Sequence, residues 1–285
     1  DLFLGPAAYR PYHEIYTPWN WRGWWEFGTG AFGDMACHVL DPVYASLNLG
    51  YPDQIEGNSS PINTESAPQS EQVKFHFPER PSISGFNLPE VDVYWYDGGL
   101  LPFRPYLLPD GIDLMEDRLG GCIFVGTKDT LFCGSGGVGK RLLSGREPKV
   151  SSRLRRIPNA KGYKDGPHEQ DWIRACKESP ESRVQSTSNF AYAGPFNEMV
   201  LLGVLAIRLQ SLNKTLQWDG PSMQFTNITA GDELKVIESN HFSMRNGRPV
   251  FESKYLETKA LSAANEYIRH EYRKGWKLPV ELDQL

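Results

Sequence analysis

The stretch from Pro195 to Leu212 constrains this chain most, because it is apolar on several faces and folds as a helix only if it is deeply buried. Gly194-Pro195 opens that predicted helix, with proline suited to the first helical position. Its longest apolar run, Met199 to Leu209, ends in Arg208 and Gln210 and falls short of the roughly 20 residues that a bilayer span needs. The sequence predicts a core helix and no membrane span. A helix of this kind needs a sheet or other helices to cover it, and the rest of the chain supplies both.

Val73 to Phe77 alternates apolar and polar residues as a half-buried strand does, and Val91 to Tyr96 followed by Asp97-Gly98-Gly99 reads as a second strand and turn. Cys122 to Gly126 and Thr130 to Cys133 read as a hairpin closing on Thr127-Lys128-Asp129. Tyr51 to Gln72 is rich in Ser, Pro, Asn and Glu, and Leu100 to Asp117 is a loop able to cover a site. Short strands are expected at Val236-Ile237 and Pro249 to Phe251.

Three further helices are expected. Gly30 to Leu47 carries Phe32, Met35, Val39, Leu40 and Tyr44 at three- and four-residue steps, and Asn48 to Pro52 should end it. His168 to Glu178 should turn Trp172, Ile173, Ala175 and Cys176 inward, and Thr258 to Tyr272 is the last. Pro11 to Phe27 takes an extended or looping path because of its prolines. Strands flanked by separate helices, without regular alternation, argue for one α+β domain over residues 1–285: an open, largely antiparallel sheet with helices on one face.

Composition bounds the function. With 30 Lys and Arg against 35 Asp and Glu, the net charge of −5 offers no basic field for a phosphate backbone, so nucleic acid is not an expected partner. The four cysteines, Cys37, Cys122, Cys133 and Cys176, stand far apart and read as buried free thiols. Three N-x-[ST] sequons, at Asn58, Asn213 and Asn227, matter only in a glycosylating compartment. Nothing in the sequence fixes localisation; cytoplasm and periplasm both fit.

The run Gly134-Ser135-Gly136-Gly137-Val138-Gly139-Lys140 satisfies two phosphate-loop patterns, yet Arg141 follows where a Mg²⁺-binding loop needs Ser or Thr. Gly145 and Pro148 break any following helix, and Arg153, Arg155 and Arg156 stand where a dinucleotide site wants an acid, so a surface turn is expected.

A better constellation lies in the first predicted helix. Asp34 and His38 are one turn apart and share a face, so a carboxylate and an imidazole can meet one ligand. An imidazole exchanges protons with a hydroxyl near neutral pH, and a neighbouring carboxylate supports its cation or binds the substrate. The same spacing also suits two residues that merely satisfy the core or cap the helix. Asp41, three residues beyond His38, could orient it or be an ordinary helix-end residue; without a further His or Cys, no metal is expected. Upstream, Trp19, Asn20, Trp21 and Arg22, followed by Trp24 and Trp25, put ring faces beside hydrogen-bond donors, an arrangement suited to a sugar.

On these residues the chain resembles the Gfo/Idh/MocA family of NAD(P)-dependent oxidoreductases. The resemblance lies in Trp21 to Gly30 with Gly33 to Pro42, in Phe190 to Glu198 with Leu201 to Gly203, and in Glu271 to Trp276. It implies that Asp34 and His38 take substrate-contacting and proton-transferring positions, with His38 the acid/base and Asp34 assisting; Trp19, Asn20, Trp21, Arg22 and Asp41 are expected near the substrate from their own chemistry. It implies NAD or NADP as cofactor and a sugar, cyclitol or sugar derivative as substrate. The dinucleotide-binding Rossmann half and the family's EKP motif are not found in this sequence, which therefore resembles the C-terminal substrate and assembly domain, inactive alone and leading through residues 1–27 into a catalytic helix 30–47. Its partners would be its own N-terminal Rossmann domain and further copies docked through the open sheet face. Two other outcomes stay open: a glycosidase working by transient oxidation, and a noncatalytic carbohydrate-binding or assembly module.

Overall fold

The structure is a computed structural model that describes residues 2–83, 85–113, 120–147, 166–269 and 271–277. Its centre is an antiparallel sheet built from β1 (Gln54–Ser59) and β2 (Glu71–Phe77). Beyond the short pair β3 (Arg80–Ile83) and β4 (Phe86–Leu88), β5 (Val91–Tyr96) joins β2 in the same sheet. A smaller sheet holds β6 (Gly121–Val125), β7 (Thr130–Gly134) and β8 (Arg141–Leu142). Late in the chain, β9 (Leu216–Asp219) and β10 (Gln224–Phe225) extend the central sheet to the order β10-β9-β1-β2-β5, and β11 (Glu233–Arg245) with β12 (Arg248–Lys259) forms a long hairpin. The helices are α1 (Gly30–Val39), α2 (Asp41–Leu47), α3 (Pro167–Lys177), α4 (Phe190–Arg208) and α5 (Ala260–Ile268). The fold is mixed α and β with antiparallel sheets, as expected from the sequence.

Alternation in β2 puts Val73, Phe75 and Phe77 under the helices, while Gln72, Lys74 and His76 lie on the opposite face. Trp95 and Val93 of β5 continue the buried side. Helix α4 lies on β1 and β2, and α1 packs against α4. Two glycines make this layering possible. A Cβ on Gly57 would lie 2.6 Å from the Ala206 carbonyl carbon, so only glycine lets the β1 and α4 backbones meet there. A Cβ on Gly203 would lie 2.2 Å from Phe32, whose ring fills the notch and contacts Phe75 and Trp95.

Several expectations need correction. The helix predicted over 30–47 breaks at Leu40 into α1 and α2, because Pro42 has no N–H to give the His38 carbonyl. Asn48, at φ 46°, then closes α2 as a left-handed cap. Helix α4 starts at Phe190 rather than Pro195, so the proline lies inside its N-terminal part, and the helix ends at Arg208 with a 3₁₀ turn, Gln210–Leu212, after it. It is long and apolar enough by length and composition to cross a membrane, yet Met199, Leu202 and Ile207 are at most 1% exposed within the core.

In α3 the inward residues are Asp171 and Ala175, whereas Trp172 and Cys176 face solvent. The reason is polar: Asp171 is held by Arg174 and by the Thr187 N–H and hydroxyl, a network that fixes the helix rotation against apolar preference. The strands expected at 236–237 and 249–251 are parts of the single hairpin β11–β12, and the last helix begins at Ala260 rather than Thr258 and ends at Ile268. All four cysteines are free, but Cys37 is exposed like Cys176; only Cys122 and Cys133 are buried. The Cys122 thiol donates to the Val39 carbonyl at 3.0 Å, tying β6 to the end of α1, and burial pushes its pKa up to about 12. The loop expected over 100–117 is irregular from 100 to 113, and its remainder through 117 lies outside the described residues.

Candidate functional site

Helix α1 presents two unlike faces. Phe32, Ala36 and Val39 are buried against the sheet and α4, which fixes Asp34 and His38 on the outer side. Asp34 is half-buried and His38 exposed. Neither of two cavities elsewhere in the molecule, of about 300 and 200 Å³, is lined by Asp34 or His38. His38 thus looks onto solvent.

Around Asp34 the upstream segment forms a short shelf. Pro18 follows a cis peptide bond, and Asn20–Gly23 makes one 3₁₀ turn. That turn brings Arg22 Nε to 2.9 Å from Asp34 Oδ2, while Arg22 Nη1 donates to the Trp19 carbonyl at 3.0 Å. The guanidinium lies 3.5 Å from the centre of the Trp19 ring and 5.2 Å from that of Trp21. Trp19 is 67% exposed and Trp21 38%, so both rings offer faces to a ligand. Asn20, also exposed, completes the shelf. Trp24 and Trp25 turn away from it: Trp24 packs edge-on to Tyr16, and Trp25 Nε1 donates to the Asn63 carbonyl. The structure therefore brings together Trp19, Trp21, Arg22 and Asp34.

Asp41 is engaged elsewhere. Its Oδ1 accepts from the Tyr192 hydroxyl at 2.5 Å, and among the described residues no hydrogen bond or ion pair links His38 to Asp34 or Asp41. Tyr192, from the first turn of α4, meets Tyr44 edge-on and Phe196 at a tilt, and burial with the adjacent carboxylate raises its pKa above the tyrosine range. The Tyr44 hydroxyl is pushed up to about 12, chiefly by burial. Tyr192 stands in a stretch that carries the sequence resemblance, yet its link to Asp41 spans 151 positions and leaves no local signal.

Beneath the start of α1 lies a feature that sequence reasoning missed. Glu71, 2% exposed, accepts from the Phe32 N–H at 3.3 Å, in the first turn of the helix. It also shares a hydrogen bond with Asp97, whose carboxylate accepts from the Glu71 N–H and from Trp95 Nε1. Burial is the largest cause and the Asp97 charge the next in raising the Glu71 pKa to about 8. Burial and the neighbouring Asp97 charge thus favour the protonated form of Glu71. The only available hint is a glutamate in register with an alternating strand, Glu71, Val73, Phe75, at a buried position.

The glycine run 134–140 does not fit a dinucleotide. Gly136 and Gly137, in a 3₁₀ turn, and Gly139 just beyond it adopt positive φ, and the chain runs on into β8 rather than into a helix whose N-terminus could take a pyrophosphate. Among the described residues, no group of three or more His, Cys, Asp or Glu side chains could hold a metal ion.

Compared with known proteins, residues 1–81 match the C-terminal alpha/beta domain of the Gfo/Idh/MocA oxidoreductase family. That stretch is similar to the family's C-terminal domain and spans less than a third of the chain. The match includes the Trp19 to Trp25 segment, α1 with Asp34 and His38, and β1 and β2, but not the 190–203 and 271–276 stretches of the sequence resemblance. No curated protein matches the chain.

Proposed function

We propose that this chain is the substrate-binding domain of an NAD(P)-dependent oxidoreductase that acts on an alcohol of a sugar, cyclitol or sugar derivative. The observation that carries this reading is the shelf of Trp19, Trp21, Arg22 and Asp34 beside an accessible His38, inside the segment matched by an oxidoreductase family. Ring faces suit the C–H faces of a sugar, and Asp34 keeps one oxygen free to accept from a substrate hydroxyl while Arg22 holds the other. His38, whose ring nitrogens have no protein partner among the described residues, takes the hydroxyl proton and returns it in the reverse direction. Asp41, with its oxygen occupied by Tyr192, shapes the floor between α2 and α4. The dinucleotide, NAD or NADP, is held by residues other than those described, in a Rossmann domain of the same protein, and the open sheet face is where copies associate.

The test is His38→Ala in the full-length protein. Turnover should fall by roughly 10² to 10⁴, the usual share of a general acid/base, with dinucleotide affinity unchanged. Wild-type turnover in this variant removes His38 from the mechanism.

A further inference from the structure

Arg208 is the last residue of α4, and its guanidinium lies between two rings. Its Cζ is 3.5 Å from the centre of the Tyr267 ring and 5.1 Å from that of Trp25. Stacking occupies the faces of a guanidinium and leaves its N–H edges to be met in plane. Among the described residues no carboxylate comes within 4.0 Å of its nitrogens; the Tyr267 hydroxyl takes up part of its donor capacity, and Glu266 and Glu26 act on it from farther off. Burial lowers its pKa from the usual guanidinium value, the mark of a cation drawn out of water. The C-terminal end of α4 offsets part of that cost through its dipole.

Beside this cation is a cavity of about 200 Å³ lined by Arg208, Ser211, Lys235, Ile62, Val236 and Ile237, among others. The Ser211 hydroxyl accepts from the Lys235 N–H at 3.2 Å and keeps its own proton to donate. Lys235 Nζ is 3.3 Å from Glu257, an exposed pair whose small worth lets the ammonium turn to another anion. Ile62, Val236 and Ile237 give the cavity an apolar wall, and Ser59, Ser60, Gln210 and Tyr255 also line it. The cavity therefore offers charge and a donor on one side and a hydrocarbon surface on the other.

We infer that Arg208, Lys235 and Ser211 form a binding site for a small carboxylic acid with an apolar body. The carboxylate meets the guanidinium edge and the ammonium, and its carbon skeleton lies along Ile62 and Ile237. Inorganic anions supply the charge without the body, and neutral amides the body without the charge. This cavity shares no lining residue with the Asp34–His38 shelf, so the inference does not depend on the proposed reaction.

The experiment is an NMR titration of the intact protein with benzoate, benzamide and inorganic phosphate, following the Arg208 Nε–H and Trp25 indole N–H signals. Benzoate should bind saturably and at least about ten-fold more tightly than benzamide or phosphate, since only it satisfies both halves of the site. Arg208→Gln should abolish the response. Because that variant alters a buried stack, Lys235→Gln, at an exposed position, provides the second reading and should weaken benzoate roughly three- to ten-fold. Equal responses to benzoate and benzamide, phosphate binding as tight as benzoate, or an unchanged affinity in Lys235→Gln would overturn the inference.

Discussion

The two faces of α1 are built on opposite principles. On the inner face Phe32, fully buried, is wedged between Phe75, Trp95 and the notch at Gly203, and its position is over-determined. On the outer face, Asp34 has one ion pair, from Arg22, beside two exposed indoles, and His38 has no hydrogen-bond partner among the described residues. The contrast teaches that the placement of the polar pair comes from the packing behind it, while its chemistry is left to the surface shelf. Stability and activity should therefore separate by face.

The largest effect is expected on the inner side. Phe32→Ala should cost about 3–5 kcal/mol of unfolding free energy, from lost burial and the cavity left in a packed interior. A loss under about 1 kcal/mol in urea unfolding would mean that α1 is not seated as described.

Glu71→Gln tests the base on which that inner face rests. A carboxyl whose pKa rises from 4.5 unfolded to about 8 folded retains a proton on folding, so its contribution is full below pH 4.5 and is lost as pH rises toward 8. Wild-type stability should fall across that window, by up to a few kcal/mol given the coupling to Asp97. Glutamine keeps a donor for Asp97 and does not titrate, so the slope should flatten. The check is chemical unfolding at a series of pH values, and a slope unchanged by the substitution would assign the dependence to other groups.

The smallest stability effect belongs to the outer face. Arg22→Gln removes a partly exposed ion pair and should cost no more than about 1 kcal/mol. In the proposed reaction it should nevertheless raise the KM for substrate, because Asp34 loses the group that orients it. A melting shift as large as that of Phe32→Ala would show that the shelf is structural, and the contrast between the faces would fail.

What the sequence made legible follows from periodicity. β2 and β5 have one buried face each, so alternation revealed them, and the hairpin of β6 and β7 carried its own turn residues. β1 contains Gly57 and four polar residues, and it is a strand because β2 and β9 pair with it on either side. Most of β11 and β12 is exposed on both faces, so no period of two is written into them; only Leu234 and Val236 at the base are buried. At the candidate site, Asp34 and His38 were visible as a helical spacing. The Asp41–Tyr192 and Phe32–Glu71 contacts were not, since each joins residues far apart in the chain.

Gly57 has a mechanical corollary. Where most helices ride on a sheet through a cushion of side chains, here two main chains abut, so sliding α4 along its axis would shear β1 with it. The helix that carries the polar pair leans on α4 and thereby inherits the rigidity of the sheet. In the proposed reaction, a ligand at the shelf would meet a platform that does not recoil, and any adjustment would fall to Trp19, Trp21 and Arg22.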